Sequence, residues 1–505
     1  MKKIVVTIGL FLLACNLLMS QNITVKGGIY ISSNERVNVK KKELKKVFSN
    51  IYVSDGFTIE KVNPDGGFTI QSRLGFSVFP ILPLGWEVDS DLMIGNNNSL
   101  YLDSIKQNDA FAYHIPIRKY QLKEEVTIAA IGDVQIANQQ ELQYINASLM
   151  KDLLSRSNVN FNLFLGDLVN NNIDYFPQVK QQIESLPVKS FLVLGNHDRD
   201  IVDNFQDYSF STYFGASNYV FNSNGVYYII LNNVYPDGPR GYKGKYSDEQ
   251  LFFIEKILPL IDKKARIVLA HHIPLQYTSN KERMLDLLSE HNVLILSGHT
   301  HTVERFHYSP FIQELVVGAT CGSWWTGEKD VYGLPSGLMQ CGTPRGYFNI
   351  NIKANGDYNF SFKGVGLDDN DQMSIWINRQ DTLDTWIDEL NDTDSYVAIA
   401  NVYAGSDSTS VYYRLNGEGE WHSMQKEKLR DPAVARVSSL NHQKVYPTKH
   451  SRRAALRKRV SSHVWKALLP RSLKNGIHKI EIRAFDSYGL EVQGSRLFFV
   501  KTERE

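Results

Sequence analysis

Short apolar runs broken by turn residues open the chain. Between Asn22 and residue 105, stretches such as Phe68-Thr69-Ile70 and Phe76-Ser77-Val78-Phe79 are separated by Asp55-Gly56 and Asp65-Gly66-Gly67. Apolar and β-branched runs between glycine turns predict a small antiparallel β-sandwich over 22–105. Over 124–352 the texture changes. Apolar strand candidates now alternate with longer helical segments, Gln139 to Arg156 and Asp248 to Asp262 among them, which predicts an α/β domain. Over 354–505 the turns return, and Ser395 to Val402, Val411 to Leu415, Lys479 to Ala484 and Leu497 to Lys501 read as strands of a second sandwich.

The chain is 505 residues long, too long for one hydrophobic core, so several domains are expected from size alone. With 55 basic against 54 acidic residues, overall charge names no partner, and no specific nucleic-acid recognition is expected. Residues 1–20 differ from the rest: Lys2 and Lys3 precede an apolar run from Ile4 to Ala14, which predicts a signal peptide and an exported, periplasmic or cell-surface protein. Cleavage after Ser20 is the preferred processing, and a lipid on Cys15 is the other route. Cleavage leaves Cys321 and Cys341, for which a bridge and two free thiols both stand open. A basic stretch over 444–466 has two readings: peripheral contact with an anionic surface, or a solvated loop in the last sandwich.

Five apolar strand candidates each end in polar residues suited to metal binding. Val126 to Ile131 leads to Asp133 and Gln135, and Phe161 to Leu165 leads to Asp167. Phe191 to Leu194 leads to Asn196, His197 and Asp198. Ile267 to Ala270 leads to His271 and His272, and Val293 to Leu296 leads to His299 and His301. Carboxylate oxygen, amide oxygen and imidazole nitrogen together suit Mn²⁺, Fe or Zn²⁺, ahead of Mg²⁺ or Ca²⁺. His299 and His301 are two apart, so in extended chain both face one way and reach neighbouring ions. Two close cations need an anionic bridge, and Asp167 is the natural one.

In this order the blocks resemble the calcineurin-like metallophosphoesterase superfamily, with its pattern D-x-H, G-D, G-N-H-D/E, H and G-H-x-H. The resemblance implies two mixed sheets flanked by helices in the middle domain, between two all-β sandwiches as in a bacterial branch of that superfamily. It also implies two divalent metal ions. One would be held by Asp133, Gln135, Asp167 and His301, the other by Asp167, Asn196, His272 and His299, with His197 the catalytic imidazole beside Asp198. The chain departs from the pattern at Gln135, which stands where the family has histidine and ligates only through a neutral carbonyl oxygen, implying a looser first site. His272 matches the fourth block through its spacing to Pro274, with His271 the alternative.

The resemblance also covers Gly322-Ser323-Trp324-Trp325 and Gly342-Thr343-Pro344-Arg345, with Cys341 where the branch often has aspartate. Trp324 and Trp325 are candidates for a substrate wall or for packing, and Arg345 for a phosphate partner or for ordinary surface. The implied activity is hydrolysis of a phosphate ester, with a phosphorylated small molecule, lipid or phosphoprotein as substrate. The rivals are a phosphodiesterase on nucleotide or on lipid or glycerol phosphodiesters, and a catalytically degenerate envelope-binding protein.

Overall fold

The computed structural model describes residues 22–32, 41–89, 100–101, 112–200, 206–238, 240–391, 395–442 and 459–501. The expectations for the signal peptide, for Cys15 and for most of 444–466 fall outside these. The N-terminal unit is a sandwich of two four-stranded sheets around Val25, Ile51, Phe68, Val78 and Ile115. It differs from the expected all-antiparallel form, because Asn22–Ile31 pairs in parallel with Ala112–Lys119. That last strand carries the unit to Lys119, beyond the predicted limit at 105. A helix over Lys41–Phe48, absent from the strand-based expectation, lies between the strands.

The central domain holds two mixed sheets. The first contains β1 (Glu125–Ile131), β2 (Phe161–Phe164) and β3 (Ser190–Leu192), all parallel. The second contains β4 (Tyr219–Ser223) and β5 (Val226–Ile230), followed in sequence by a separate hairpin of β6 (Val234–Asp237) and β7 (Gly241–Gly244). It continues with β8 (Arg266–Ala270), β9 (Asn292–Ser297), β10 (Val303–Ser309) and β11 (Ile312–Val317), in the order β4-β5-β8-β9-β11-β10. Then β12 (Gly346–Lys353) and β13 (Tyr358–Gly364) close the first sheet beside β1. The first sheet therefore runs to Gly364, past the expected boundary at 352.

The parallel strands are buried on both faces, which is why the sequence shows continuous apolar runs there and no alternation. Each fully buried Ile, Leu or Val in these runs contributes about 1.5–3 kcal/mol. The helix expected from Gln139 to Arg156 begins with Asn138 accepting from the backbone N–H of Gln140 and Glu141, widens to a π-turn at Asn146–Met150, and ends at Ser155. A wider turn of this kind shifts the helix face that packs beneath the ligand loops.

The C-terminal unit is a sandwich of two four-stranded antiparallel sheets. Its buried apolar side chains run continuously into the central domain's core. An ion pair, Arg305 Nη1 to Asp486 Oδ2 at 2.7 Å, crosses the junction. Cys321 and Cys341 are both free and buried, settling the open question in favour of thiols.

Candidate metal centre

The five strand ends meet at one point. Asp133 and Gln135 follow β1, Asp167 follows β2, Asn196 and His197 follow β3, His272 follows β8, and His299 and His301 follow β9. The carboxyl ends of parallel strands are where α/β folds leave a crevice. The backbone there is under strain: φ is positive at Asp133 (36°), Gln135 (52°), Asp167 (54°), His299 (72°) and His301 (53°). A non-glycine residue in that region costs of order 1–3 kcal/mol, sustained only where the surroundings over-determine it.

What holds the loops is a set of hydrogen bonds between ligand blocks. Val134 and Gln135 donate backbone N–H groups to the Asp167 carbonyl at 3.0 and 2.9 Å. His299 N donates to Asp133 Oδ2 at 2.8 Å, and His197 N to Asp167 Oδ1 at 2.8 Å. Two glycines permit this closeness. A Cβ on Gly298 would lie 2.5 Å from Asp133 Oδ2, and one on Gly166, whose φ is +92°, would lie 2.6 Å from His272 Nδ1.

The side chains converge accordingly. His272 Nε2 stands 3.3 Å from Asp167 Oδ2, 3.0 Å from Asn196 Oδ1 and 3.2 Å from His299 Nδ1. His301 Nε2 stands 3.5 Å from Asp133 Oδ1, and Gln135 Nε2 lies 3.0 Å from Asp167 Oδ2 and 3.2 Å from His301 Nε2. The far ring nitrogens are tethered: His272 Nδ1 to the Leu165 carbonyl at 2.7 Å, His301 Nδ1 to that of Gly322 at 2.5 Å. Such tethers leave each Nε2 facing the centre.

Charge is concentrated here. Asp133, Asp167 and Asp198 are all buried. Burial drives the Asp133 carboxyl well above its ordinary pKa, and Asp167 adds to that against the opposing pull of His272. Burial also pushes Asp167 up, but His272 and His197 outweigh it and hold it below the usual range. Burial lowers His272, yet Asp167 and Asp133 raise it to about 9. His299 and His301 are lowered by burial to about 3 and about 4, so both are neutral at pH 7 and have a lone pair to offer.

The remaining predicted residues are placed as follows. His271 turns away, with Nδ1 2.7 Å from the Ile273 carbonyl and 2.9 Å from Asn233 Nδ2, so His272 is the member of the pair that faces Asp167. Asp198 lies beneath the centre and not beside the His197 ring: its carboxylate accepts from Val169 N and Gly195 N, each at 3.0 Å, and so positions two ligand loops. Trp324, 37% exposed, stacks on His301 at 4.2 Å. Trp325 is buried, packing on Tyr144 and donating Nε1 to the Val134 carbonyl at 3.0 Å. Arg345 lies beyond Trp325, 5.6 Å over its ring and away from the ligands.

Two residues at the centre escape the sequence reading. Tyr242, on β7, meets His299 edge-on at 5.9 Å and is 37% exposed. Arg199 lies 5.0 Å from the Tyr242 ring and donates to the carbonyls of Asn196 at 3.0 Å and Gly241 at 3.3 Å, joining the hairpin to a ligand loop. The proximity of Arg199 to His197 in sequence was a usable signal. Nothing in the pattern around Tyr242 ties it to the centre.

The donor set fits divalent cations. Ligand atoms of Asp167, His272 and His299 lie within 4.8 Å of one another. Asp133 Oδ1 and Gln135 Oε1 are buried without a hydrogen-bond partner among the described residues. Rotating the Gln135 amide by half a turn exchanges Nε2 for Oε1 between Asp167 and His301, and only the oxygen ligates. Buried carboxylates in excess of cationic side chains call for metal.

Residues 126–303 match the family described as Calcineurin-like phosphoesterase, and residues 314–491 match the C terminal of Calcineurin-like phosphoesterase. A comparison with curated proteins gives no match. Among solved structures, the chain is similar to a dimetal phosphatase from Danio rerio, at 16% identity over 46% of this chain and 98% of that one, with a TM-score of 0.35. It is also similar to a purple acid phosphatase from yellow lupin, at 13% identity over 62% and 66% of the two chains, TM-score 0.35. A third is a 5'-nucleotidase from Candida albicans, at 11% identity over 48% and 52%, TM-score 0.30.

Proposed function

We propose, since this chain belongs to the calcineurin-like phosphoesterases and is a hydrolase of phosphoric ester bonds, that it is an exported phosphatase acting on an organic phosphate ester at the centre described above. The observation that carries the reading is the meeting of the Asp167, His272 and His299 ligand atoms within 4.8 Å. Asp133, Gln135, Asp167 and His301 would hold one divalent cation, and Asp167, Asn196, His272 and His299 the other. When bound, such a pair lowers the pKa of water towards neutrality and offsets the charge of the phosphoryl oxygens.

The protein's own groups do the positioning. Asp167 offers Oδ2 towards His272 and Gln135 while Oδ1 is fixed by His197 N. The His197 side chain is 25% exposed, with Nε2 3.9 Å from Asp167 Oδ2, which puts it at the mouth of the centre. Burial lowers its pKa, partly opposed by Asp167. The ring is neutral at pH 7 and offers the departing oxygen an N–H hydrogen bond. Trp324 over His301 and Tyr242 beside His299 flank the centre with exposed aromatic surface, which favours an ester whose alcohol carries an apolar or planar group. Export is supported by the apolar run Ile4 to Ala14 after Lys2 and Lys3. No helix among the described residues is long and apolar enough to cross a membrane.

The test is hydrolysis of p-nitrophenyl phosphate and bis-p-nitrophenyl phosphate by the mature protein with added Mn²⁺, Fe²⁺, Zn²⁺ or Mg²⁺, beside Asp167→Ala and His197→Ala. Turnover of the monoester above the diester, lost in Asp167→Ala, is expected. Preference for the diester would make it a phosphodiesterase. A folded protein inactive with every metal would favour the binding-protein reading.

A further inference from the structure

Behind the loop that carries Trp324 lies a cavity of about 1110 Å³, none of whose lining residues is a candidate metal ligand. Arg345 lines it and is only 9% exposed. Its Nη1 is buried and has no hydrogen-bond partner among the described residues. One face of the guanidinium rests 5.6 Å over Trp325. A buried guanidinium without an acceptor is costly, and native structures rarely leave one so unless something else supplies the oxygen.

Asp152, Glu328 and Asp330 also line the cavity, and none of them accepts a hydrogen bond from Arg345 Nη1. Asp152 accepts from Tyr347 Oη at 2.8 Å and pairs with Lys363 at 3.7 Å and Arg156 at 3.9 Å. Asp330 Oδ1 accepts from the backbone N–H of Tyr332 and Leu334, both at 2.9 Å, and its charge acts on Arg345 without a hydrogen bond between them. Lys151 and Lys329 stand on the wall against the three acidic residues, and Leu334, Pro335 and Leu367 give it an apolar body. A mainly apolar cavity with a few convergent polar groups is the usual form of a small-molecule site.

We infer that this cavity is a second ligand site, which binds an organic anion with a phosphate or carboxylate head at Arg345 and an apolar body against Leu334, Pro335 and Leu367. Arg345 suits the head because a guanidinium presents paired donors to two oxygens of a carboxylate or phosphate. The site shares a wall with the metal centre. A Cβ on Gly337 would lie 3.0 Å from Arg345 Cδ and 3.1 Å from the Cys321 carbonyl, and the next carbonyl, that of Gly322, holds His301 Nδ1. The inference stands on the cavity and its unpaired cation, and does not depend on the hydrolytic reading.

The experiment uses the full mature protein and 4-bromophenylphosphonate, with 4-bromobenzoate and 4-bromobenzyl alcohol as arms. Bromine anomalous scattering from soaked crystals locates each compound, and calorimetry measures binding to the wild type, Arg345→Gln and Arg345→Lys. A bromine peak in the cavity is expected for one or both anions and not for the alcohol, and the anion that binds identifies the head. Arg345→Gln should weaken that binding about ten-fold or more, with Arg345→Lys in between. A peak confined to the metal centre, no peak with either anion, cavity binding of the alcohol as tight as that of the anions, or cavity binding unchanged in Arg345→Gln would each overturn the inference. The wild-type crystals decide the matter even if a variant fails to fold.

Discussion

Two buried charge clusters of this molecule are built on opposite plans. At the junction with the C-terminal sandwich, Arg305 gives Nη1 to Asp486 at 2.7 Å and to the Ala404 carbonyl at 3.0 Å, and Asp486 also accepts from Thr409 Oγ1 at 2.9 Å and Tyr488 N at 2.8 Å. Charge there is closed within the protein. At the metal centre Asp133 Oδ1 and Gln135 Oε1 have no partner among the described residues, and five ligand candidates sit at positive φ. A satisfied cluster fixes architecture, whereas an unsatisfied and strained one marks where something else must bind.

That contrast can be broken at either end. Asp167→Ala should remove both metal and activity, the latter to background, while the fold survives by circular dichroism. A variant that keeps metal and turnover would refute the bridging role. His197→Ala should keep its metal and lose about 10²–10⁴ in turnover, the range of a single acid–base group. Arg305→Met should cost about 3–5 kcal/mol in denaturant unfolding because it strands a buried Asp486, and pairing it with Asp486→Leu should restore much of that. Trp324→Ala should raise KM for an aromatic ester roughly two- to ten-fold with little change in kcat.

The smallest effect expected is with pH. Burial pushes Asp486 up, but Arg305 outweighs it and holds the carboxyl below its ordinary pKa. A depressed acid contributes stability above its unfolded pKa of about 4, and loses that contribution as pH falls through the folded value. Melting temperature should therefore fall more steeply below about pH 4 in the wild type than in Asp486→Asn. Equal slopes would mean the pair adds nothing.

The two clusters also differ in how far the sequence reveals them. The centre was legible because each buried parallel strand leaves a continuous apolar run, and each run ends in a ligand-bearing block, four of the five with a glycine. The junction was not, since Arg305 and Asp486 are 181 residues apart and either alone is an ordinary surface charge. Domain limits slipped for two reasons: Ala112–Lys119 pairs with Asn22–Ile31, far back in the sequence, and Tyr358–Gly364 forms a hairpin with Gly346–Lys353 that extends the first central sheet past 352. Trp324 and Trp325 are neighbours of equal composition, yet one faces His301 and the other the core. Tyr242 reaches the centre through a hairpin whose placement only the tertiary fold decides.

The central claim is that these loops hold two divalent ions per chain. Metal analysis of the mature protein, stripped, reloaded with Mn²⁺ or Zn²⁺ and desalted, tests it beside Asp133→Ala and Asp167→Ala. The account predicts two ions in the wild type, about one in Asp133→Ala and fewer in Asp167→Ala, with activity following occupancy. Hydrolysis by a folded wild-type protein that retains no ion would contradict it.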